Sequence, residues 1–392
     1  MSSPHATTGP EVGRDTVGLW PVVGALTALA LAAAILYCAI VPAATFRRSD
    51  FFGLWSCARI ALTHGADVLY RHDALHGLQT ALGIPPDAYG PFPYPPPALL
   101  FLPPAGALPA DVAYVLFMAA SLAACAMAMF TGGRVFRVSA MLVPALTAFM
   151  GNLLVGQTGF LSAALFVGGL RLAQPRPVLG GVLIGLLTCK PQLGLLLPLA
   201  LAAAGTWRCM IAAIATTATL SLAASLAFGW PIWGAWLQSL PHYAELFDHE
   251  LHTLWLQPTV TAFLRSLAAP GWTVDLAQGA AAALALGLVW RLCRHGLTPR
   301  AILGVAAATF LATPHAFLYD TVLLAGATLL YANERKHWAT SSLLRWKPGW
   351  LVMLAMFLPA IALAIGPRVS VLVLWPVATL ALLPRRDDVQ AG

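Results

Sequence analysis

The sequence contains very little charge. Only 9% of its 392 residues are Asp, Glu, Lys or Arg, whereas an ordinary soluble domain carries roughly 25%. Hydrophobic residues make up 59% of the chain, and the mean hydropathy is +0.78. Walker phosphate loops, His-Glu-x-x-His zinc motifs and the glycine fingerprint of dinucleotide-binding strands are also missing. These absences exclude the common soluble enzyme classes and predict an all-α polytopic membrane protein.

Cysteine is sparse, and no Cys-x-x-Cys pair occurs among the six cysteines. We therefore expect free thiols rather than disulfides or a metal site. His242, His249 and His252 lie close together in the sequence, but their spacing fits no standard zinc pattern. A solvated loop is the preferred interpretation there, and neither a metal ion nor a cofactor is expected.

Long apolar runs recur along the chain, and each approaches the roughly 20 residues that cross a bilayer. They begin at Leu19, Tyr114, Met210, Ala280, Ala301, Thr321, Trp350 and Val369. No charged linker divides them, so residues 1–392 are interpreted as one membrane domain with roughly 11–13 transmembrane helices. The first run is too long for a cleaved signal peptide and is expected to remain as a helix.

The formal net charge of +7 could suggest a nucleic-acid partner, but the distribution of the basic residues argues against one. Fifteen of the 22 basic residues lie in the termini and in short loops that can all be placed on the cytoplasmic side. This is the positive-inside pattern of a multi-pass membrane protein. It predicts cytoplasmic termini, contact with membrane lipids and a polar site that faces outward.

Two long polar segments interrupt the apolar runs on the outer side. The first covers residues 46–93, and the helical spacing of apolar residues over 50–62 predicts a short helix along the membrane interface. The second covers residues 229–270 and is rich in Trp and His. Tryptophan favours the membrane–water boundary, so part of this segment is expected to enter the interface. Residues 178–206 centre on Lys190-Pro191-Gln192, which predicts two half-length helices or a broken hairpin around that tripeptide.

Alternating the loops across the membrane brings a set of polar residues to the outer half of one bundle. They are Asp50, Tyr94, Asn152, Gln157, Lys190, Gln192, His315, Tyr319 and Asp320. Asp50 is the most informative, because an acid at the end of a membrane span is costly to desolvate. The alternative is an interfacial acid that Arg47 or Arg48 neutralises.

The other polar residues also have alternatives without a function. Asn152 and Gln157 could be hydrogen-bonding residues between helices, and His315 and Asp320 could form a structural pair. Lys190 is harder to explain in that way, because a lysine among apolar residues needs an anionic partner or must reach the interface.

As a set, these side chains suit a lipid-phosphate substrate. A lysine supplies a cation for phosphate, neutral polar groups suit sugar hydroxyls, and a carboxylate can accept a proton from an attacking hydroxyl. A transporter or flippase of a lipid-linked or anionic solute is the alternative, since broken helices with intramembrane Lys and His fit it too. A structural partner in an envelope assembly would explain the hydropathy but not the polar cluster.

Several short motifs occur in a specific order along the chain. They are Asp50-Phe51 after the first run, Gly65 to Tyr70, Tyr94-Pro95-Pro96, Gly156-Gln157, Gly181 to Gly185 leading to Lys190-Pro191-Gln192, Pro314-His315 and Tyr319-Asp320. In this order, from about residue 45 to 335, the chain resembles the bacterial glycosyltransferase family 87. Its members have the GT-C membrane fold and include polyprenol-phosphate-mannose-dependent mannosyltransferases.

The resemblance implies an inverting hexosyltransferase of the cytoplasmic membrane that uses a polyprenyl-phosphate sugar, with mannose as the leading sugar. It implies a glycolipid or polysaccharide acceptor on the periplasmic face. Asp50 matches the catalytic base of the first outer loop, and it stands alone where many GT-C enzymes have two acids, which favours a metal-independent reaction. The implied roles of the others are the donor phosphate and leaving-group charge for Lys190 and His315, and substrate binding for Tyr94, Gln157 and Gln192. Four further residues are also predicted to take part in substrate binding: Asn152, Tyr319, Asp320 and Arg47.

Overall fold

A computed structural model describes residues 19–129, 139–249, 254–334, 354–358, 361, 370–381 and 383. Both termini, the start of the run at Trp350 and most of the basic loop around residues 335–347 lie outside these ranges, so the predicted cytoplasmic position of the termini stays a prediction. Within the described ranges the chain forms α-helices and short 3₁₀ turns and no strand. The all-α prediction is therefore confirmed.

The α-helices of the described ranges follow in this order along the chain. They are α1 Leu19–Ile40, α2 Ala43–Phe46, α3 Asp50–His64, α4 His72–Ala81, α5 Pro103–Ala107, α6 Ala110–Met129, α7 Ser139–Val155, α8 Gly159–Leu172, α9 Pro177–Leu186, α10 Pro191–Gly194, α11 Leu197–Ala203, α12 Trp207–Phe228, α13 Pro231–His249, α14 Val260–Ser266, α15 Gly271–Cys293, α16 Pro299–Ala312, α17 Thr321–Glu334 and α18 Leu374–Ala381. The 3₁₀ turns cover Ala66–Tyr70, Pro96–Phe101, Leu187–Cys189, Leu318–Asp320 and Val371–Val373.

Four helices in the described part are long and apolar enough to cross a bilayer. They contain the spans Val23–Ile40, Ala110–Met129, Trp207–Phe228 and Gly271–Cys293. Large apolar side chains are exposed along these helices, among them Leu36, Ile211, Leu226 and Leu276. Large apolar side chains exposed along helices of this length are stable in lipid and costly in water. The chain is a membrane protein.

Helix α8 lies in the middle of the bundle and packs against α6, α9, α16 and α17. Its small residues allow close contact between backbones. A Cβ on Gly169 would lie 2.6 Å from the Ile184 side chain, and a Cβ on Gly180 would lie 2.8 Å from the Gly169 carbonyl oxygen. Small residues at such contacts are how membrane helices approach closely.

The Gly181 and Gly185 motif packs α9 against α12. A Cβ on Gly181 would lie 2.4 Å from the Cys209 carbonyl oxygen, and one on Gly185 would lie 2.5 Å from Thr216 Cβ. Residues four apart lie on the same helix face, so both glycines serve one interface. This close packing fixes the helix that leads directly to Lys190.

The first outer segment folds into a compact unit on its own apolar core. The predicted interfacial helix over residues 50–62 is present as α3, and it packs against α4 and α5. Its buried residues join those of the neighbouring turn and of α13 in one cluster that includes Cys57, Leu69, Phe92 and Ile232. A Cβ on Gly106 would lie 2.6 Å from the Ala58 carbonyl oxygen, so α5 lies directly on α3.

The second outer segment is mostly helical. Its first part forms the 19-residue helix α13, which contains Pro241, and its second part includes α14. The Trp236 indole donates to the Pro93 carbonyl oxygen at 3.2 Å, and the rings of His72 and His242 stack with centroids 3.8 Å apart. These contacts hold α13 against the first outer segment.

The segment around Lys190 is broken, as the sequence predicts. Helix α9 ends at Leu186, a 3₁₀ turn follows, and α10 and α11 are short pieces separated by Leu195 and Leu196. Lys190 itself has φ −142° and ψ 66°, outside the helical region. Pro191 cannot donate a backbone hydrogen bond, which explains why no helix continues through this point.

Candidate active site

Asp50 is the first residue of α3. The Ser49 hydroxyl accepts a hydrogen bond from the Phe52 backbone N–H at 3.2 Å and caps the helix. An acid in the first turn of a helix is favoured by the partial positive charge of the N-terminus. Phe51 and Phe52 are buried, whereas Asp50 is exposed. The helix is therefore anchored by its two aromatic residues, and Asp50 begins it as an exposed residue.

Gln157 connects Asp50 to Tyr94. Its Nε2 donates to Asp50 Oδ2 at 3.2 Å. Its Oε1 accepts from the Tyr94 hydroxyl at 3.2 Å and from the Thr158 backbone N–H at 3.2 Å. Asp50 and Gln157 are 107 positions apart in the chain, so the turn between α7 and α8 is brought against the start of α3.

Lys190 and Asp320 form a buried ion pair next to these residues. Lys190 Nζ lies 2.5 Å from Asp320 Oδ1, and the two side chains are 6% and 0% exposed. The ammonium group also donates to Thr158 Oγ1 at 3.3 Å and lies 4.6 Å from the centre of the Tyr319 ring. Asp320 Oδ2 accepts from the Phe317 backbone N–H at 3.0 Å. Because a buried charge needs a partner, this pair explains how Lys190 is tolerated.

The surroundings of Asp50 change its acidity. The protein around the carboxyl group excludes part of the water and raises its pKa to about 6, while the hydrogen bond from Gln157 and the positive charge of Lys190 act in the opposite direction. A carboxyl group with a raised pKa in a polar site is a candidate for proton transfer near neutral pH.

Arg48, two residues before Asp50, is paired with a different acid. The Arg48 guanidinium pairs with Asp87 at 2.8 Å. The Arg47 guanidinium lies against Gly83, since a Cβ on that glycine would be 3.0 Å from Arg47 Nη1. The alternative in which Asp50 is an interfacial acid paired with these residues is therefore wrong for Arg48, and the role of Arg47 in substrate binding stays a prediction.

His315 lies on the loop before the Leu318–Asp320 turn. Its backbone N–H donates to Thr313 Oγ1 at 3.3 Å. Burial, together with the positive charge of Arg265, lowers the pKa of His315 to about 4. The imidazole is therefore neutral at neutral pH and carries no positive charge of its own. Asp320 Oδ1 accepts a hydrogen bond from Lys190, and Asp320 Oδ2 accepts one from the Phe317 backbone N–H. The charged partner of Asp320 is therefore Lys190.

Asn152 and Gln192 contribute in different ways. Asn152 is fully buried, and its Oδ1 accepts from the Gly159 backbone N–H at 3.0 Å. It therefore holds the turn between α7 and α8 rather than joining distant helices. Gln192 is half-buried in α10, two residues after Lys190.

Gly156 allows the turn between α7 and α8 to touch α3. Its φ is +77°, and a Cβ there would lie 2.4 Å from Phe51 Cβ. A side chain would have to push away the residue that follows Asp50 in sequence. The motif Gly156-Gln157 therefore combines a close contact to Phe51 with a hydrogen bond to Asp50.

We expect Gly156→Ala to lower both stability and activity. The left-handed backbone costs a non-glycine residue roughly 1–2 kcal/mol, and the contact with Phe51 adds a displacement of α3. Gly205→Ala is the matched control, because Gly205 has φ +66° and nothing within 4 Å of a Cβ. Thermal unfolding in detergent should show a loss of stability in both variants, larger for Gly156→Ala because of the contact with Phe51. An activity assay should show lost activity only for Gly156→Ala. Equal activity in the two would contradict this.

The structure adds several residues to the site beyond those predicted to take part in it. Thr158 contacts Lys190, and the Tyr70 hydroxyl donates to the Tyr94 carbonyl oxygen at 2.9 Å. Arg265 acts on His315 through its charge. Thr158 directly follows Gly156-Gln157, and Tyr70 ends the Gly65 to Tyr70 motif, so both lay next to available signals.

In the ranges that the structure describes, no group of three or more His, Cys, Asp or Glu side chains comes together. All six cysteines are free thiols, as the sequence predicts. Asp50 and Asp320 are held by Gln157 and Lys190 respectively.

Comparison with known proteins identifies the family. No curated protein and no solved structure matches the chain. The family model of glycosyltransferase family 87 matches residues 92–318, more than half of the chain. The match includes Tyr94, Gln157, Lys190 and His315 and begins after Asp50, which the fold brings against Gln157. On this match, and with an all-helical membrane fold as GT-C enzymes have, the chain belongs to glycosyltransferase family 87.

Proposed function

We propose that this glycosyltransferase moves a hexose, with mannose as the leading sugar, from a polyprenyl-phosphate donor to an acceptor hydroxyl. The observation that carries the proposal is the cluster itself. The carboxylate of Asp50 is held by Gln157 beside the ammonium group of Lys190. A base for the acceptor and a cation for the leaving phosphate are the two groups that such a transfer needs.

The reaction starts with the acceptor hydroxyl at Asp50. The carboxylate takes the hydroxyl proton as the acceptor oxygen attacks C1 of the donor sugar from the face opposite the phosphate. The bond between C1 and the phosphate oxygen breaks, and its electron pair leaves with the lipid phosphate. One attack of this kind inverts the configuration at C1. The metal-independent reaction needs only these groups, because phosphate leaves without being protonated first.

Lys190 provides the positive charge for the leaving phosphate. Two of its hydrogen bonds go to Asp320 and Thr158, and an ammonium group has three donors, so one remains for a donor oxygen. His315 is neutral. Its role in this reaction is a hydrogen bond to the leaving phosphate and not a positive charge. Arg47, at the start of the first outer segment, is a further cation for the donor.

Neutral side chains hold the sugar in this proposal. The Tyr94 hydroxyl and the Gln192 amide offer hydrogen bonds to sugar hydroxyls, and the Tyr319 ring underlies Lys190. The polyprenyl chain lies along the exposed apolar faces of the long helices, where it adds binding energy without chemistry. The acceptor is a glycolipid or polysaccharide on the periplasmic face of the bacterial cytoplasmic membrane.

The chemical class of the sugar donor can be tested with the purified protein in liposomes. We expect radiolabelled sugar to pass from polyprenyl-phosphate-mannose to a component of a crude envelope extract, and not from a nucleotide-linked mannose. The anomeric configuration of the product, read by linkage-specific mannosidases, is expected to be opposite to that of the donor. Labelled lipid that crosses the bilayer without a new glycosidic bond would contradict transfer and support the transporter alternative.

A further inference from the structure

The orientation of the Gln157 amide is determined by its neighbours. The atom at Oε1 lies 3.2 Å from the Thr158 backbone N–H, which can only donate. That atom must therefore be the amide oxygen, and the amide nitrogen must face Asp50. Gln157 is 9% exposed, so few other arrangements are open to it.

The Tyr94 hydroxyl, which also donates to Gln157 Oε1, is itself held in place. The Tyr94 carbonyl oxygen accepts from the Tyr70 hydroxyl at 2.9 Å, and the carbonyl oxygen of Pro93 accepts from the Trp236 indole at 3.2 Å. Tyr94, Gln157 and Asp50 thus form a chain of hydrogen bonds. It starts at Tyr94, whose backbone is held by these two contacts, and ends on the Asp50 carboxylate.

This chain occupies one oxygen of Asp50. Gln157 binds Oδ2, and no other described side chain donates to the carboxylate. Oδ1 is the oxygen that remains for an acceptor hydroxyl. A base works only when it lies within hydrogen-bond reach of the proton that it removes, so the rotation of the carboxylate matters as much as its charge.

We infer that Gln157 is a positioning residue, which holds Asp50 Oδ2 so that Oδ1 faces the acceptor hydroxyl, and that it does not bind the sugar. This replaces the binding role that the family resemblance implies for Gln157. The inference rests on the proposed function, in which Asp50 is the general base. Tyr94 supports the same orientation through the Gln157 oxygen.

Two variants test the inference by steady-state kinetics over a pH series. The pKa of Asp50 is raised to about 6 by burial, and the Gln157 hydrogen bond acts in the opposite direction. The wild-type enzyme should therefore lose activity as pH falls through about 6, because a protonated carboxyl group cannot act as a base. Gln157→Met keeps the length but removes the donor, and we expect kcat about tenfold lower. The acidic limb should move up by roughly one pH unit, with KM for both substrates unchanged.

Tyr94→Phe keeps the ring and removes only the hydroxyl, so it tests the same chain if Gln157→Met fails to fold. We expect a smaller shift of the acidic limb in the same direction. Tyr89→Phe is the matched control, because the Tyr89 hydroxyl contacts His72 at 2.9 Å instead. It should leave the pH profile unchanged.

The outcomes separate this inference from the proposed function. A raised KM with an unmoved acidic limb in Gln157→Met would overturn the positioning role and restore a binding role. Full activity of Asp50→Asn would overturn the proposed base and the positioning role together. A lower kcat with a limb moved to higher pH, in a protein that needs Asp50, supports both.

Discussion

Replacing Asp50 with asparagine is expected to lower kcat by about 10²–10⁴-fold, the usual contribution of a general base. Asparagine has the same shape and can still accept the hydrogen bond from Gln157, but its amide cannot take a proton. The helix start at Ser49 is unchanged. The measurement is sugar transfer from radiolabelled polyprenyl-phosphate-mannose by wild type and variant at equal protein levels.

Asp73→Asn is the control for this prediction. Asp73 is an exposed acid in the first turn of α4, within the same outer segment. The change alters the net charge of the segment by the same amount as Asp50→Asn, so any general effect of charge appears in both. We expect Asp73→Asn to retain activity. Equal transfer by wild type and Asp50→Asn would exclude Asp50 as the base.

The second large effect concerns stability. Removing one partner of a buried ion pair leaves the other charge without compensation and typically costs about 3–5 kcal/mol. We therefore expect Lys190→Met and Asp320→Asn each to lower the thermal unfolding temperature in detergent strongly. The side chains of Lys190 and Asp320 are 6% and 0% exposed. Water therefore does not screen the one charge that remains in either variant.

The double variant separates the ion pair from the individual side chains. Lys190→Met combined with Asp320→Asn leaves no unpaired charge, and the asparagine oxygen can still accept from the Phe317 N–H. We expect it to regain most of the lost stability. Its transfer activity should remain low, because the cation for the leaving phosphate is missing.

Asp87→Asn is the control for the stability measurement. It breaks the ion pair between Arg48 and Asp87, whose side chains are 48% and 70% exposed. Exposed pairs contribute little to stability, so this variant should unfold like the wild type. A double variant no more stable than the single ones would show that Lys190 and Asp320 are not energetically coupled.

Local signals in the sequence predicted the elements that carry the site. The apolar spacing over residues 50–62 corresponds to α3, Asp50–His64. Pro191 marks the break after the 3₁₀ turn Leu187–Cys189. Both signals act over a few residues, since helical periodicity and the missing N–H of proline are properties of neighbouring positions.

The partners of the charged residues could not be predicted in this way. Lys190 and Asp320 are 130 positions apart, and Arg48 pairs with Asp87 although Asp50 is closer in sequence. Helix α13 was not predicted either, and its contacts with the first outer segment, such as the stacking of His72 on His242, join distant parts of the chain. Such pairings depend on how helices pack, which short motifs do not encode.

Hydropathy and motif order are properties of the linear chain, and they were enough to predict an all-helical membrane protein that resembles glycosyltransferase family 87. The alternation of loops also predicts that the polar residues lie on one side of the membrane. The pairing of these residues follows from tertiary contacts: Gln157 binds Asp50, and Asp320 is held by Lys190. The physical reason is that a buried polar group must find its partner within about 3 Å, and packing contacts such as that between Gly156 and Phe51 select which partner comes that close.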